Sequence, residues 1–334
     1  MQNKFFTLVN TVLDSELQFL NHISQEIWKN PELKHEEKFA HDFLTKALQE
    51  KGFSVTKHYE LPTAFRAEYV SKYPGPTVAV ICEYDALPKI GHACGHNLIA
   101  EAGFGAGLAI KAAMEAKPDI PGKVVVLGTP AEEGGGGKKT LIEKGAFKDI
   151  DIALMVHPSP DNHLYPPFIG IQRVVIKYTG KEAHASGYPW EGLNALDAAV
   201  ACYNNVALLR QHIKPTCKIH GVITKGGEAP NIIPGHTEVQ FYYRAHSSKE
   251  MENLKKRLEA CFRSAALATG CEISITYDDS NAYESLITNR VLAELYKKYA
   301  TALGVQFDDG NPKIIPFMAS SDMGNVSHVV PSIH

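Results

Sequence analysis

Three short runs of β-branched and other apolar residues, set apart by helical stretches, constrain the fold of this chain most strongly. They span residues 77–82, 123–129 and 151–157. Runs of this length and composition are typical of strands buried on both faces of a sheet. Residues 97–116, with Asn97 placed to cap them, form the predicted helix between the first two runs. The alternation predicts an α/β fold with a doubly wound, mostly parallel sheet.

After residue 163 the pattern changes to strand, helix, strand, strand, helix and strand. The predicted elements span residues 171–179, 193–213, 217–225, 237–244, 248–268 and 271–277. This β-α-β-β-α-β order is that of a ferredoxin-like unit. We therefore expect residues 168–280 to form an inserted domain. Residues 1–167 and 281–334 would form the first domain, with a further helix at 286–303.

Composition and charge exclude several classes of function. The 334 residues carry 34 Lys and Arg against 37 Asp and Glu, a net charge of −3, and no basic tract, so we expect no nucleic-acid partner. No apolar run approaches the ~20 residues of a transmembrane helix, so we expect no membrane partner. The amino terminus lacks the features of a signal peptide, and the six cysteines have no framework spacing. These features favour reduced thiols and a cytoplasmic location.

Side chains that can bind a metal ion follow the ends of the three predicted strands. In sequence order they are Asp85, Cys94, His96, Glu132, Glu133 and His157. The carboxyl ends of parallel strands share one edge of a sheet, and ligands bind there. Thiolate, imidazole and carboxylate groups are ligands of divalent metals such as zinc. The sequence therefore predicts a metal site at this edge.

Each of these residues also has an ordinary structural explanation, which spacing alone leaves open. Cys94 and His96 could be an incidental loop pair, and the two adjacent glutamates could be solvated. His157 could be a hydrogen-bonded core residue and Asp85 a turn cap. In the metal interpretation, a cation binds one of the two glutamates and offsets the repulsion between their charges. The second glutamate then acts as a general base. Asp85 could then orient a ligand histidine.

The predicted insert carries three candidates of its own. His184 follows a strand and could stabilise the oxyanion of a tetrahedral intermediate. Asn231 and Arg244 could hold a substrate carboxylate, the arginine through two hydrogen bonds. A turn asparagine and a surface arginine are the alternatives from spacing alone.

Three motifs together resemble a known family. They are EYDALP at residues 83–88, GHACGHN at 91–97 and PAEEGG at 130–135. They are similar to motifs of the aminoacylase and carboxypeptidase superfamily of co-catalytic metallohydrolases, and most of all to its amidohydrolase branch. Within that branch they resemble the group of Xaa-Arg dipeptidases (β-alanyl-lysine dipeptidases) and p-aminobenzoyl-glutamate hydrolases. The resemblance runs from about Glu16 to the end of the chain.

The resemblance implies an aminohydrolase with two divalent metal ions, zinc or manganese. It implies a metal-ligand set made of Cys94, His96, Glu133 and His157. Glu132 would be the general base and later the proton donor to the leaving amine, and Asp85 would orient a ligand histidine.

The resemblance also implies roles for the inserted domain. His184 would act as an oxyanion donor in an active site, that of the neighbouring subunit. Asn231 and Arg244 would bind the carboxylate of a small dipeptide or N-acyl amino acid substrate. The domain would serve as a lid and as the interface of a homodimer.

The chain departs from the family pattern near its end. In the family, a last ligand histidine lies beyond a segment like residues 319–324; here the chain reaches only His334, which matches a strand-end position before that ligand. The C-terminal part of the catalytic domain is therefore expected to be missing. Three hypotheses remain: a dipeptidase for substrates with a basic C-terminal residue, including β-alanyl dipeptides; a p-aminobenzoyl-glutamate or N-acyl-amino-acid amidohydrolase; and a catalytically silent binding or regulatory protein.

Overall fold

The computed structural model describes the backbone of residues 2–309 and 318–334, which fall into two compact units. The first comprises residues 1–167 and 286–334, and the second comprises residues 168–285. The second unit extends past the predicted end at residue 280, because its last strand continues to Tyr283. Residues 310–317, in the predicted C-terminal return to the first domain, lie outside the described residues.

The secondary structure is mixed along the whole chain. The helices are α1 (Gln2–Lys29), α2 (Lys38–Glu50), α3 (His96–Ala116), α4 (Gly137–Glu143), α5 (Ala195–Arg210), α6 (Ser248–Thr269), α7 (Arg290–Ala302) and α8 (Met323–Ser327). The strands are β1 (Ser54–Lys57), β2 (Phe65–Val70), β3 (Thr77–Cys82), β4 (Lys123–Gly128), β5 (Ile152–Leu154), β6 (Gly170–Thr179), β7 (Lys218–Lys225), β8 (His236–Ala245), β9 (Glu272–Tyr283) and β10 (Ser332–Ile333). Among the described residues, none of the helices is both long and apolar enough to cross a membrane.

The first unit is built on a six-stranded sheet in the order β1-β2-β4-β3-β5-β10. Strands β4, β3, β5 and β10 run parallel, and β1 and β2 are antiparallel additions at one edge. This confirms the predicted α/β class with a mostly parallel sheet. The third predicted strand is shorter than expected, and the two antiparallel strands have no counterpart in the prediction.

Both faces of this sheet are buried, which explains why its central strands are continuous apolar runs. On β4, Val124 and Val126 pack with α1, α2 and α3, whereas Val125 and Leu127 pack on the opposite face with α4 and α8. Successive side chains of a strand point to opposite faces, so a strand covered on both sides needs apolar residues at every position.

Helix α3 lies directly against the sheet because glycines remove side chains at the contact. A Cβ added at Gly103 would lie 2.4 Å from the carbonyl oxygen of Ile81 on β3. The packing places the amino end of α3 beside the carboxyl end of β3. Asn97 does not cap this helix, so that prediction was wrong: the helix begins one residue earlier, after Gly95, and the Asn97 amide donates to the Ser24 hydroxyl at 2.9 Å.

The second unit is a four-stranded antiparallel sheet in the order β7-β8-β6-β9. Its element order confirms the predicted β-α-β-β-α-β pattern. Helices α5 and α6 pack with the sheet in one apolar core. Along β8 every second residue is buried, the alternation expected of a strand with one covered face.

Candidate metal centre

The strand ends of the first unit bring three of the predicted ligands together. The Sγ atom of Cys94 lies 3.5 Å from Nε2 of His157. The rings of His96 and His157 are perpendicular, with centroids 6.0 Å apart. Donor atoms of Cys94, His96 and His157 all lie within 4.8 Å of one another, so one ion could contact all three.

A second group of donors shares His96 with the first. Its Nε2 atom lies 3.9 Å from a carboxylate oxygen of Glu132 and 3.9 Å from one of Glu133. Donor atoms of these three residues also lie within 4.8 Å of one another. Together the groups offer a thiol, two imidazoles and two carboxylates, which suits a borderline divalent metal.

Asp85 links the two groups through both of its oxygens. Oδ1 pairs with Nδ1 of His96 at 3.0 Å, and Oδ2 accepts the backbone N–H of Glu133 at 2.9 Å. Burial by itself would raise the pKa of Asp85, but the hydrogen bond and charge of His96 outweigh it and the pKa is lowered. An ionised Asp85 fixes the His96 ring with Nε2 facing the glutamates.

The donor atoms themselves provide a test of whether a metal fits. Within the described part of the chain, Nε2 of His96, Oε1 of Glu133 and Oε2 of Glu83 are buried and have no hydrogen-bond partner. The two oxygens lie 3.9 Å and 3.5 Å from that nitrogen. Unpaired buried polar atoms are rare in proteins, because each one forfeits the hydrogen bonds it would make in water. A divalent cation would satisfy these atoms, so the residues fit such an ion.

The titration of the cluster reflects its burial. Burial raises the pKa of the Cys94 thiol and of the Glu133 carboxyl. For His96, burial opposes the charged form, but the Glu83 charge and the Asp85 hydrogen bond raise its pKa well above its usual value. Protons and metal ions compete for such donor atoms, so metal binding here releases protons.

Glu132 is buried beside other carboxylates. Burial, with the charges of Glu83 and Asp322, raises its pKa well above the usual range. Glu132 therefore holds a proton to higher pH than an exposed glutamate does.

Lys138, at the start of α4, carries the positive charge that offsets these carboxylates. Its side chain is fully buried; Nζ forms an ion pair with Glu83 and donates to Oδ1 of Asp322 at 2.6 Å. The backbone N–H of Lys138 donates to the other oxygen of Asp322 at 2.9 Å. The lysine therefore ties the end of β3 to the start of α8.

These observations point to a hydrolase site, and comparison with known sequences decides the family. The sequence profile of the peptidase family M20/M25/M40 matches residues 79–333. This chain belongs to that family. The result confirms the family expected from the three motifs, and the M20 chain is therefore a hydrolase.

Individual proteins of known name show which members of the M20 family this chain is similar to. It is 48% identical to the Xaa-Arg dipeptidase of Mus musculus, over 96% of this chain and 77% of that protein. It is 30% identical to one of the subunits of the p-aminobenzoyl-glutamate hydrolase of Escherichia coli (strain K12), over 86% of this chain and 63% of that protein. Among solved structures, the fold is similar to that of the Bacillus subtilis YxeP protein, described as a dinuclear metal-binding peptidase from the M20 family, with a TM-score of 0.76 at 18% identity, covering 96% and 88% of the two chains.

His334 lies on the same edge of the sheet as the M20 motif residues. Strand β10 runs parallel to β5, with Ile333 opposite Leu154, and the His334 ring lies 5.7 Å from that of His157. Burial, followed by the charge of His157, lowers the pKa of His334 well below its usual value. The family motifs matched this residue only to a strand end, and the structure places it beside a predicted ligand.

In the second unit, the structure brings His184 and Asn231 into neighbouring loops. Both side chains are exposed. The backbone N–H of Ala185 donates to the carbonyl of Asn231 at 3.0 Å, and Nδ1 of His184 accepts the N–H of Gly187 at 3.1 Å. The loop's own backbone therefore orients the His184 ring.

Arg244 lies away from these loops within the unit. Strand β8 begins at His236, just after the Asn231 loop, where it pairs with Thr179; Arg244 pairs with Ile171 near the other end. Eight residues of strand span about 26 Å. The structure therefore does not bring Asn231 and Arg244 of one chain to a common carboxylate.

Sequence reasoning missed three residues around the candidate centre: Glu83, Lys138 and Asp322. Glu83 belongs to the EYDALP motif, and its position as a fourth carboxylate, two residues before Asp85, was a usable signal. No local signal marks Lys138, since a lysine in an amphipathic stretch is ordinarily solvated. Its partner Asp322 lies 184 positions away in sequence.

Proposed function

We propose that this M20 peptidase hydrolyses the amide bond of dipeptides with a basic C-terminal residue, including β-alanyl dipeptides, using two divalent metal ions. The observation that carries the proposal is a pair of donor groups at one sheet edge that share His96: Cys94, His96 and His157 in one, and His96, Glu132 and Glu133 in the other, with the donor atoms of each group within 4.8 Å of one another. The similarity to an Xaa-Arg dipeptidase supports the substrate class. The description of YxeP as a dinuclear metal-binding peptidase supports two ions.

In this proposal Cys94, His96, Glu133 and His157 hold the ions. When bound, the ions polarise the scissile carbonyl and lower the pKa of a water molecule. The thiol and imidazole donors favour zinc, and the carboxylates also suit manganese.

Glu132 acts as the general base of the reaction. It takes a proton from the attacking water and later gives it to the nitrogen of the leaving amine. Its position supports this role, because its carboxylate is buried beside the proposed metal ligands, with Oε2 3.9 Å from Nε2 of His96. Asp85 keeps His96 in the orientation that leaves Nε2 for the metal.

The second unit supplies substrate-binding groups as a lid and dimerisation domain. His184 stabilises the oxyanion, and Asn231 and Arg244 bind the substrate carboxylate. Asn231 precedes β8 and Arg244 lies near the far end of that strand, so one carboxylate held by both would take them from two chains of a homodimer. The exposed Val222 on the edge strand β7, 58% accessible, supports an interface there.

The proposed location is the cytoplasm. All six cysteines are free thiols, although the chain has enough of them for three disulfides. Free thiols persist in reducing compartments. This observation supports the cytoplasm over an oxidising compartment.

A second candidate keeps the chemistry and changes the substrate. The 30% identity to a subunit of a p-aminobenzoyl-glutamate hydrolase favours p-aminobenzoyl-glutamate or an N-acyl amino acid. Both substrates place a carboxylate next to the scissile amide, so the same binding groups would serve them.

The test combines metal content with a substrate panel. We expect the purified chain to bind two equivalents of metal by elemental analysis and to hydrolyse β-alanyl-lysine and alanyl-arginine faster than p-aminobenzoyl-glutamate. The double variant Cys94→Ser, His96→Ala should lose both metal and hydrolysis. A matched control, Cys217→Ser with His212→Ala on the second unit, should keep both.

Each other outcome contradicts the proposal in a defined way. Faster hydrolysis of p-aminobenzoyl-glutamate than of the dipeptides would contradict the proposed substrate class and favour the second candidate. Bound metal with no hydrolysis across the panel would favour the catalytically silent form. Unchanged metal content in the Cys94, His96 double variant would refute the ligand assignment.

A further inference from the structure

Glu37 is a fully buried carboxylate that the proposed mechanism leaves unused. It lies immediately before α2, and its Oε1 atom accepts the backbone N–H groups of His35 and Ala131, both at 2.9 Å. Its Oε2 atom accepts the hydroxyl of Thr63 at 2.7 Å. The bond to Ala131 crosses 94 positions of sequence and ends on the residue that precedes Glu132.

Ala131 has an unusual backbone conformation. Its φ is +60°, in the left-handed region, which costs a non-glycine residue about 1–2 kcal/mol. Its carbonyl accepts the N–H of Gly135 at 3.1 Å, so both of its backbone polar groups are paired. A strained conformation of this kind persists only where surrounding contacts hold it. Glu37 provides the contact at the N–H side.

The backbone around Glu132 is thereby fixed on both sides by buried carboxylates. The N–H of Ala131 is held by Glu37, and the N–H of Glu133 is held by Asp85 at 2.9 Å. Glu37 comes from the segment before α2, and Asp85 follows β3. Two segments distant in sequence therefore set the direction in which the Glu132 side chain leaves the backbone.

We infer that Glu37 is a positioning residue for the hydrolysis: it holds Ala131 in the left-handed conformation that aims the Glu132 carboxylate at the attacking water. The inference rests on the proposed function of Glu132. Displacing a reacting group by about 1 Å can cost about 10²-fold in rate, so a loosened Ala131 should slow turnover without emptying the metal site.

The test compares variants of the full-length chain at Glu37 with wild type and Glu132→Gln. Glu37→Ala should lower kcat about 10- to 100-fold, with KM and metal content close to wild type. Glu37→Gln should keep most of the activity, because its amide oxygen can accept the two N–H groups and its nitrogen can donate to Thr63. Glu36→Ala, at the exposed neighbouring position, is the matched control and should be unchanged.

A second substitution separates positioning from simple loss of packing. Glycine adopts positive φ without the penalty, so adding Ala131→Gly to Glu37→Ala should restore a large part of kcat. A cavity left by the missing side chain would not be repaired in this way. If Glu37→Ala shows no cooperative melting transition, Thr63→Val replaces it: losing only the Oε2 hydrogen bond should lower kcat several-fold at unchanged KM.

The outcomes distinguish this inference from the proposed function. Suppose that Glu132→Gln is inactive and Glu37→Ala has the kcat of wild type. This result would overturn the inference and leave the proposed function standing. Thr63→Val is judged in the same way where it replaces Glu37→Ala. A kcat loss that Ala131→Gly does not reverse would overturn it too. A wild-type chain without any hydrolysis would overturn the proposed function, and the inference with it.

Discussion

The two units hold their candidate residues in opposite ways. In the first unit, His96 and Asp85 are buried and bonded to each other at 3.0 Å, among carboxylates from other strand ends. In the second unit, His184 and Asn231 are exposed, and backbone hydrogen bonds such as that from Ala185 to Asn231 join their two loops. The first unit therefore assembles a site inside one chain, whereas the second presents its side chains outward.

The difference in burial between the two units predicts where substitutions should change activity and stability most. Buried charges need partners because their desolvation is costly, and removing one partner exposes that cost. Ion pairs on a surface contribute little, because water already solvates both groups. We therefore expect large effects on catalysis and stability in the first unit. In the second unit we expect effects on substrate binding at Arg244 and little effect on stability.

The largest effect is expected at Glu132. Replacing it by glutamine removes the general base and should lower kcat by about 10³- to 10⁴-fold, while the four proposed ligands keep the metal content near wild type. Steady-state kinetics and elemental analysis measure both. Glu228→Gln, an exposed glutamate of the second unit, is the control and should behave like wild type. Retained hydrolysis in Glu132→Gln would remove the residue from its role.

Stability gives the next contrast, between a buried and an exposed lysine. Lys138→Met leaves Glu83 and Asp322 buried without their cation and should lower the free energy of unfolding by about 3–5 kcal/mol. Lys256→Met breaks an exposed pair with Glu252 in the second unit and should cause little measurable change. Urea unfolding at one fixed metal concentration measures both variants. Equal losses of unfolding free energy in the two variants would contradict the expected difference between the units.

The smallest effect is expected at Arg244. Lysine keeps the charge but cannot form two parallel hydrogen bonds to a carboxylate, so Arg244→Lys should raise KM about tenfold and change kcat little. Arg263→Lys, on the exposed face of α6, is the matched control. A loss of kcat at unchanged KM would instead place Arg244 in the chemical step. It would contradict the expectation that Arg244 acts in substrate binding.

Much of the fold and of the centre follows from local sequence. Strand β3 has the predicted bounds and β4 is one residue shorter, because a strand covered on both faces is a continuous apolar run that no surface helix shares. The contact between Cys94 and His157 was expected because the carboxyl ends of parallel strands meet at one edge. The motif residues also indicate the types of donor atom at the centre, because thiol, imidazole and carboxylate groups can be identified from sequence alone.

The supports of the centre could not be predicted in the same way. Lys138 and Glu37 are fully buried charged residues, although lysine and glutamate are ordinarily solvated. Their partners Asp322 and Ala131 lie 184 and 94 positions away. Burial of a charge depends on partners that only the folded chain supplies, so no local pattern marks such residues.

The sequence by itself therefore determined the family, the class of sheet and the kinds of donor atom at the strand ends, because apolar periodicity and motif residues are local properties. The tertiary structure decided which atoms meet: His96 with Asp85, Lys138 with Asp322 and Glu37 with Ala131. These pairs join segments distant in sequence, and a hydrogen bond or ion pair of about 3 Å exists only after packing has brought both partners out of water.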